Sequence, residues 1–404
     1  MNSQQYDVLI VGGGMVGATL AVALATEPKL KIGLIEARLP EAIQPGDAYD
    51  LRVSALTRSS ETILRKLGIW SQLPAERLSA FTDMRVWENS ESELHFNSAD
   101  MGEPCLGHLL ENRLLQGASL SQCGRLANIT LFSPAEPAHY SPRQLTLDDG
   151  TELKANLIVA ADGAQSKLRQ WAGIGFRGQQ YQQQGLVCTI TTEKSHQHTA
   201  WQRFLAEGPL ALLPLPDTHQ CSIVWSLSSA SAERLLALPE AEFIEELNQA
   251  SESKLGAVTA ISQRAAFPLQ RQHAERYIDA GLALVGDAAH IIHPLAGQGV
   301  NLGLLDAATL AEVVLHAYDH GRDIGSQHTL QKYQRQRHAD NLLMQLSMDM
   351  LKQLFSNSLS PLSWLRQTGL RQVNRSRWLK NLFMHQAASR FFARPELSQI
   401  DYQD

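Results

Sequence analysis

Asp7-Val-Leu-Ile-Val-Gly-Gly-Gly-Met-Val-Gly17 is the stretch of this 404-residue chain on which its fold turns. The apolar run Val8 to Val11 reads as a strand buried on both faces, as in a parallel sheet. Gly12, Gly14 and Gly17 occupy the GxGxxG positions between that strand and a helix predicted over Met15 to Thr26. The first glycine allows a tight turn, the second lets a pyrophosphate approach the backbone, and the third lets helix and strand pack closely. The start of the helix offers unpaired N–H groups to phosphate. Lys31-Ile-Gly-Leu-Ile-Glu36 completes a βαβ unit, and Glu36 ends it at the distance suited to accepting ribose hydroxyls. A dinucleotide site is expected, and this stretch alone leaves nicotinamide and flavin both open.

Two later motifs bear on that choice. Ala161-Asp162-Gly163-Ala-Gln-Ser166-Lys-Leu-Arg169 runs from a strand end into a helix that Ser166 is placed to cap. Leu284-Val-Gly286-Asp287-Ala-Ala-His290 is followed by Pro294-Leu-Ala-Gly297-Gln-Gly299-Val-Asn301. A carboxylate at a strand end can hold sugar hydroxyls, and clustered glycines turn backbone N–H groups toward an electron-rich ring.

Outward from these motifs the coarse pattern continues. Helices are expected over Leu109 to Leu126 and Ala232 to Gln249, and Asp148-Asp-Gly150 signals a hairpin turn. Short β-branched and aromatic runs at Val187 to Thr192, Leu210 to Leu215 and Cys221 to Leu227 suggest an antiparallel sheet. From Gln298 onward the pattern is mostly helical, with a break at Pro361.

The composition, 44% hydrophobic and 19% charged, is that of a globular chain and excludes extended disorder. A net charge of -6 gives no global reason for nucleic-acid binding. Charge is unevenly spread, because eight basic residues and no acidic one lie between Lys352 and Arg394. Apolar residues at helical spacing, among them Leu351, Leu354, Phe355, Trp378, Leu379, Leu382 and Phe383, accompany this run. Such helices fit packing on the main body or in a homo-oligomer, or peripheral contact with anionic lipid or partner proteins. Four scattered cysteines without a CxxC pattern indicate a reducing, cytoplasmic setting with neither disulfide framework nor zinc site. His290 and His293 form HxxH, but zinc needs at least three protein ligands, so no metal is expected. With a strand so near the first residue no leader is expected, and no uninterrupted run approaches the roughly 18 apolar residues of a spanning helix.

With GxGxxG, the Asp162-Gly163 motif and the Gly286-Asp287 motif in this order, the sequence resembles the flavoprotein aromatic hydroxylases related to p-hydroxybenzoate hydroxylase. It is most similar to the ubiquinone-biosynthesis hydroxylases, and nearest to those acting on 2-polyprenylphenols at ring position five. Arg52-Val-Ser-Ala-Leu56, His108-Leu-Leu-Glu-Asn112, Cys221-Ser-Ile-Val-Trp-Ser-Leu227 and Gly286 to Asn301 carry the likeness, which runs from Asp7 to about Arg337. It implies an α/β fold: a Rossmann-like FAD-binding domain (1–75, 98–180 and 282–330), a smaller antiparallel-sheet substrate domain (76–97 and 181–281), and a helical C-terminal region (331–404). Gly12, Gly14, Gly17 and Glu36 would hold the ADP half of FAD, with Arg52 and Asn112 along the pyrophosphate, ribitol or flavin. Glu111 and Arg113 are alternatives to Asn112. Asp287 would bind the ribityl or pyrophosphate region, and Gly299, Val300 and Asn301 would face the isoalloxazine. Asp162 and Arg169 would organise FAD and reductant, and Pro294 would stand near the reacting ring, with no catalytic base assigned.

A single GxGxxG gives no sign of a second domain devoted to NAD(P)H; the resemblance implies that NAD(P)H visits transiently to reduce the flavin, and that O2 then gives a flavin hydroperoxide that hydroxylates a polyprenylphenol. A quinone-biosynthesis complex and the inner membrane are the implied surroundings. The rival expectations are a flavin hydroxylase of a soluble aromatic and a non-enzymatic, flavin-stabilised component of that complex.

Overall fold

The computed structural model describes residues 4–44, 46–88, 93–291, 299–356 and 394–400. The motif strand, Gln4–Val11, lies at the centre of a sheet between Ile32–Ile35 and Glu152–Ala160, parallel to both. Ile129–Phe132 extends the parallel set beyond the former and Leu282–Leu284 beyond the latter. Val8, Leu9 and Ile10 are fully buried because helices and loops cover both faces.

Eight helices accompany the sheets among the described residues: α1 (Met15–Leu24), α2 (Arg58–Lys66), α3 (Asn112–Cys123), α4 (Lys167–Trp171), α5 (Ser229–Ala237), α6 (Glu240–Ser251), α7 (Gly299–Asp319) and α8 (Gln327–Ser356). Ser166 caps α4 by accepting from the Arg169 N–H at 3.0 Å, as its position in the sequence suggests. The Asp148-Asp-Gly150 turn joins Gln144–Leu147 to Glu152–Ala160, with Gly150 at φ 84°, a left-handed conformation that favours glycine.

A second, nine-stranded sheet is built round the long strand Phe176–Thr192, which pairs antiparallel with Gln220–Ser228, Val258–Ile261 and Ala265–Ala274. It carries its own core, in which Leu186, Ile190, Leu210 and Ile223 are buried with Phe243 and Leu247 of α6. A three-stranded sheet of Val53–Thr57, Ser79–Phe81 and Gly107–Glu111 makes up the third group.

Two helices expected from the sequence are divided. Leu109 and Leu110 belong to the strand Gly107–Glu111, paired with Ala55 and Ser54, and α3 starts only at Asn112. Both leucines are buried in that strand, a tertiary gain that overrides their helix propensity. The helix expected over Ala232 to Gln249 is α5 and α6, parted at Leu238-Pro239, where both residues are extended. Proline lacks an N–H and forces its predecessor out of the helical region.

The 21 residues of α7 are apolar and numerous enough to cross a membrane by composition, yet 78% of the most apolar window is buried within the protein. α7 packs on α1 and α8 as a core helix. Residues 394–400 return to the body, where the Glu396 carbonyl accepts from Lys66 of α2 and its N–H donates to Glu312 of α7. Pro361 and the basic run from Arg366 to Arg390 lie outside the described residues.

Candidate functional site

The parallel strands end together. Register places Val11 beside Ile35 and Ala160, and Ala160 beside Leu284, so Gly12, Glu36, Ala161-Asp162 and Gly286-Asp287 all emerge at one carboxyl edge. That edge is where open α/β sheets bind ligands.

The three motif glycines differ in what surrounds them. Gly12 has φ 104°, and a Cβ there would stand 2.3 Å from the Ala161 carbonyl oxygen. A Cβ on Gly17 would lie 1.9 Å from the Gly12 carbonyl oxygen, so α1 can rest on the strand only without it. At Gly14, by contrast, a Cβ would meet no atom within 4 Å, which leaves the backbone approachable. Glu36 accepts from the Gly13 N–H at 2.5 Å and from the Arg38 N–H at 3.0 Å, holding the glycine loop against the second strand. Gln116 of α3 donates to the Gly13 carbonyl at 3.1 Å, a contact that no motif announces.

Asp287 is densely surrounded by protein, yet its side chain is open to solvent, the signature of a residue lining a crevice. Burial raises its carboxyl above the ordinary value, against the lowering influence of the His290 and Arg52 charges. Arg52, itself exposed, has its guanidinium 5.5 Å from the ring centre of Phe267, a partly exposed aromatic on the second sheet. The crevice therefore reaches from the strand edge toward that sheet.

Asp162 accepts from the Leu168 N–H through Oδ2 at 3.3 Å, whereas its Oδ1 is buried without a hydrogen-bond partner. Burial raises this carboxyl as well. A buried acceptor without a donor marks a place where a ligand or water completes the set. Arg169 lies buried over the Phe176 ring at 3.6 Å and donates to the carbonyls of Ala164 and Ala288, tying the two aspartate motifs together.

Asn112 accepts from the Ser54 hydroxyl at 2.6 Å at the start of α3. Of its alternatives, Glu111 is buried and doubly bonded to Arg77, both contacts at 2.7 Å, and Arg113 pairs with Asp50 at 3.1 Å. The Asn301 side chain is fully buried in a structural lock: it accepts from the Thr57 N–H and the Ser60 hydroxyl and donates to the Ala55 carbonyl. Any contact of Asn301 with a ring thus falls to its backbone. Gly299 and Val300 form the partly exposed first turn of α7, and a Cβ on Gly299 would meet nothing within 4 Å. His293, Pro294 and Gly297 lie outside the described residues.

Two polar clusters escaped the sequence reading. Asp306 of α7 gathers Gly286, His290, Arg337 and Asn341 behind the Gly286-Asp287 turn. Glu61 of α2 meets Arg58, Arg65 and His108, with Cys105 beside the histidine. Glu61, Cys105 and His108 have a metal-like spacing, their ligand atoms lying within 4.8 Å of one another. Two arginines already neutralise the glutamate, so the cluster is an ion-pair network. Burial opposes charge on His108, but Cys105 and Glu61 overcome it and raise its pKa to about 9. Glu61 is likewise opposed by burial and brought down to about 2 by His108, Arg65 and Arg58.

A glycine loop open at Gly14, a carboxylate at the second strand end, an orphaned Asp162 oxygen and a crevice-lining Asp287 together fit an extended adenine dinucleotide, the ligand class of this α/β fold. The family model for the FAD binding domain matches residues 5–344. The chain is 42% identical to ubiquinone hydroxylase UbiL of Rhodospirillum rubrum, over 96% of this chain and 91% of that protein. It is 38% identical to 3-demethoxyubiquinol 3-hydroxylase of Escherichia coli, over 94% of this chain and 97% of the relative. Among solved structures, p-nitrophenol 4-monooxygenase PnpA of Pseudomonas putida superposes with a TM-score of 0.78 at 17% identity, covering 97% of this chain and all of that one. That likeness shows the shared fold. The chain belongs to the FAD-dependent hydroxylases of ubiquinone biosynthesis, a family of flavoprotein monooxygenases.

Proposed function

We propose that this protein hydroxylates the aromatic ring of a polyprenylphenol intermediate of ubiquinone biosynthesis, with O2 as oxygen source and NAD(P)H as reductant. The identity of 42% along nearly the whole chain to a ubiquinone hydroxylase carries the reading. In it, Gly12, Gly14, Gly17 and Glu36 hold the ADP half of FAD, and Arg52, Asn112 and Asp287 its middle. Gly299, Val300 and the Asn301 backbone border the ring, and Asp162 and Arg169 order the strand edge between them. Bound FAD supplies electron transfer and oxygen activation, which no side chain can perform. The protein's own part is to orient the two rings and keep water from the crevice. Phe267 beside Arg52 gives the crevice an apolar wall and a cation suited to an electron-rich phenol.

Ring position five is the position this reading favours, and the test resolves it. Deleting the gene and profiling quinone precursors by mass spectrometry should show a prenylphenol lacking one ring hydroxyl, restored by the wild-type gene. An unchanged quinone pool in a strain with no second hydroxylase would refute the proposal. The basic run from Lys352 to Arg394 suits peripheral attachment at the cytoplasmic face of an anionic inner membrane, where a prenylated substrate resides. Binding to anionic vesicles should then weaken steeply with salt.

A further inference from the structure

The turn that carries Asp287 is held from behind by buried charges. Asp306, fully buried in α7, accepts through Oδ2 from the Gly286 N–H at 3.1 Å and from His290 Nε2 at 2.5 Å. Through Oδ1 it accepts from Arg337 Nε at 2.7 Å and Asn341 Nδ2 at 3.1 Å, both on α8. One carboxylate thus grips both ends of the segment from Gly286 to His290 and fastens it to two helices. Other α8 side chains join the grip: Tyr333 donates to the Leu284 carbonyl at 2.7 Å, and Gln345 to the Ile291 carbonyl at 3.2 Å.

Stability alone is a poor reason for this arrangement, since well-packed apolar side chains can replace a buried ion pair at little cost. What an apolar pair cannot do is accept the Gly286 N–H. Gly286 stands at φ +59° immediately before Asp287, so anchoring its N–H holds the Val285–Gly286 peptide, one residue ahead of the Cα from which the Asp287 side chain projects, while the His290 contact holds the far end of the turn. We infer that Asp306 is a positioning residue for FAD binding and that Arg337 makes the aim of Asp287 depend on the seating of α8. The inference rests on the crevice being the FAD site. Burial opposes the charge on Asp306, but the His290 and Arg337 charges bring its pKa down to about 2, so the grip persists across the physiological range.

The test uses the full-length chain, stripped of FAD and retitrated, with urea unfolding of the FAD-free form measured alongside. Asp306→Leu combined with Arg337→Met removes both charges while keeping the volume apolar. The expected result is a variant that still folds, at a lowered urea midpoint because the Gly286 N–H and Asn341 lose their acceptor, with FAD affinity reduced by about tenfold or more, the order seen when partners that orient a binding group are lost. The absorption bands of the residual bound flavin should shift as well. Unchanged affinity and spectrum in the folded double variant would overturn the inference. Should that variant not fold, Arg337→Lys retains the cation and drops the guanidinium fork; a several-fold loss of affinity supports the coupling, and wild-type affinity overturns it. A wild-type chain unable to bind FAD would refute the crevice reading, and the coupling with it.

Discussion

Gly14 and Gly17 make the clearest pair of contrasts at the residue scale. An alanine at 14 meets no protein atom within 4 Å and sits at φ −69°, so Gly14→Ala should fold normally and lose FAD, because its methyl occupies the approach to the backbone. Gly17→Ala forces a Cβ to within 1.9 Å of a carbonyl and should lower the melting temperature as well. Thermal melts with flavin absorbance separate the two outcomes, and equal behaviour would contradict the roles given. Asp287→Ala should cost about tenfold or more in FAD affinity, the scale of a hydrogen bond to a charged group. The placement of these residues at the strand ends was legible because a glycine beside a strand end, or a carboxylate at one, answers a local backbone demand. Asp306 was not legible: a single acid inside an apolar helix shows its purpose only when His290 and Arg337, distant in sequence, fold onto it.

Among the elements, the junction of α7 with the strand Val53–Thr57 and α2 depends on Asn301. Asn301→Ala strands the Thr57 N–H in a buried site and should cost about 2 kcal/mol or more of stability, measured by urea unfolding. The pairing of Glu61 on α2 with His108 on the neighbouring strand gives a pH signature. His108, raised from 6.5 to about 9, contributes stability that is complete below its ordinary value and lost as pH rises through about 9. Glu61, lowered from 4.5 to about 2, contributes stability that is present above its ordinary value and lost as pH falls through about 2. His108→Gln should therefore destabilise most between the two ordinary values and converge with wild type in strong alkali, read from urea midpoints across pH. A constant difference would contradict the pairing. At this scale the sequence was less legible. Strand and helix share apolar runs such as Leu109-Leu110, and only the pairing with Ala55 and Ser54 decides between them.

For the whole molecule, the parallel order around Gln4–Val11 and the antiparallel sheet around Phe176–Thr192 both follow from patterns visible in the chain: doubly buried runs for the first, β-branched and aromatic runs for the second. The approach of Arg52, at the start of the three-stranded sheet, to Phe267 of the antiparallel sheet was not visible, because neither residue carries a motif for the other. That approach brings an aromatic of the antiparallel sheet to the cation that faces Asp287. The central claim, an FAD-dependent ring hydroxylation, is tested most directly by supplying the purified holoprotein with NAD(P)H, a short-chain polyprenylphenol and isotope-labelled dioxygen, then weighing the product. A phenol that has gained one ring hydroxyl carrying the label is the expected product. Consumption of NAD(P)H with no labelled oxygen on the ring would contradict it.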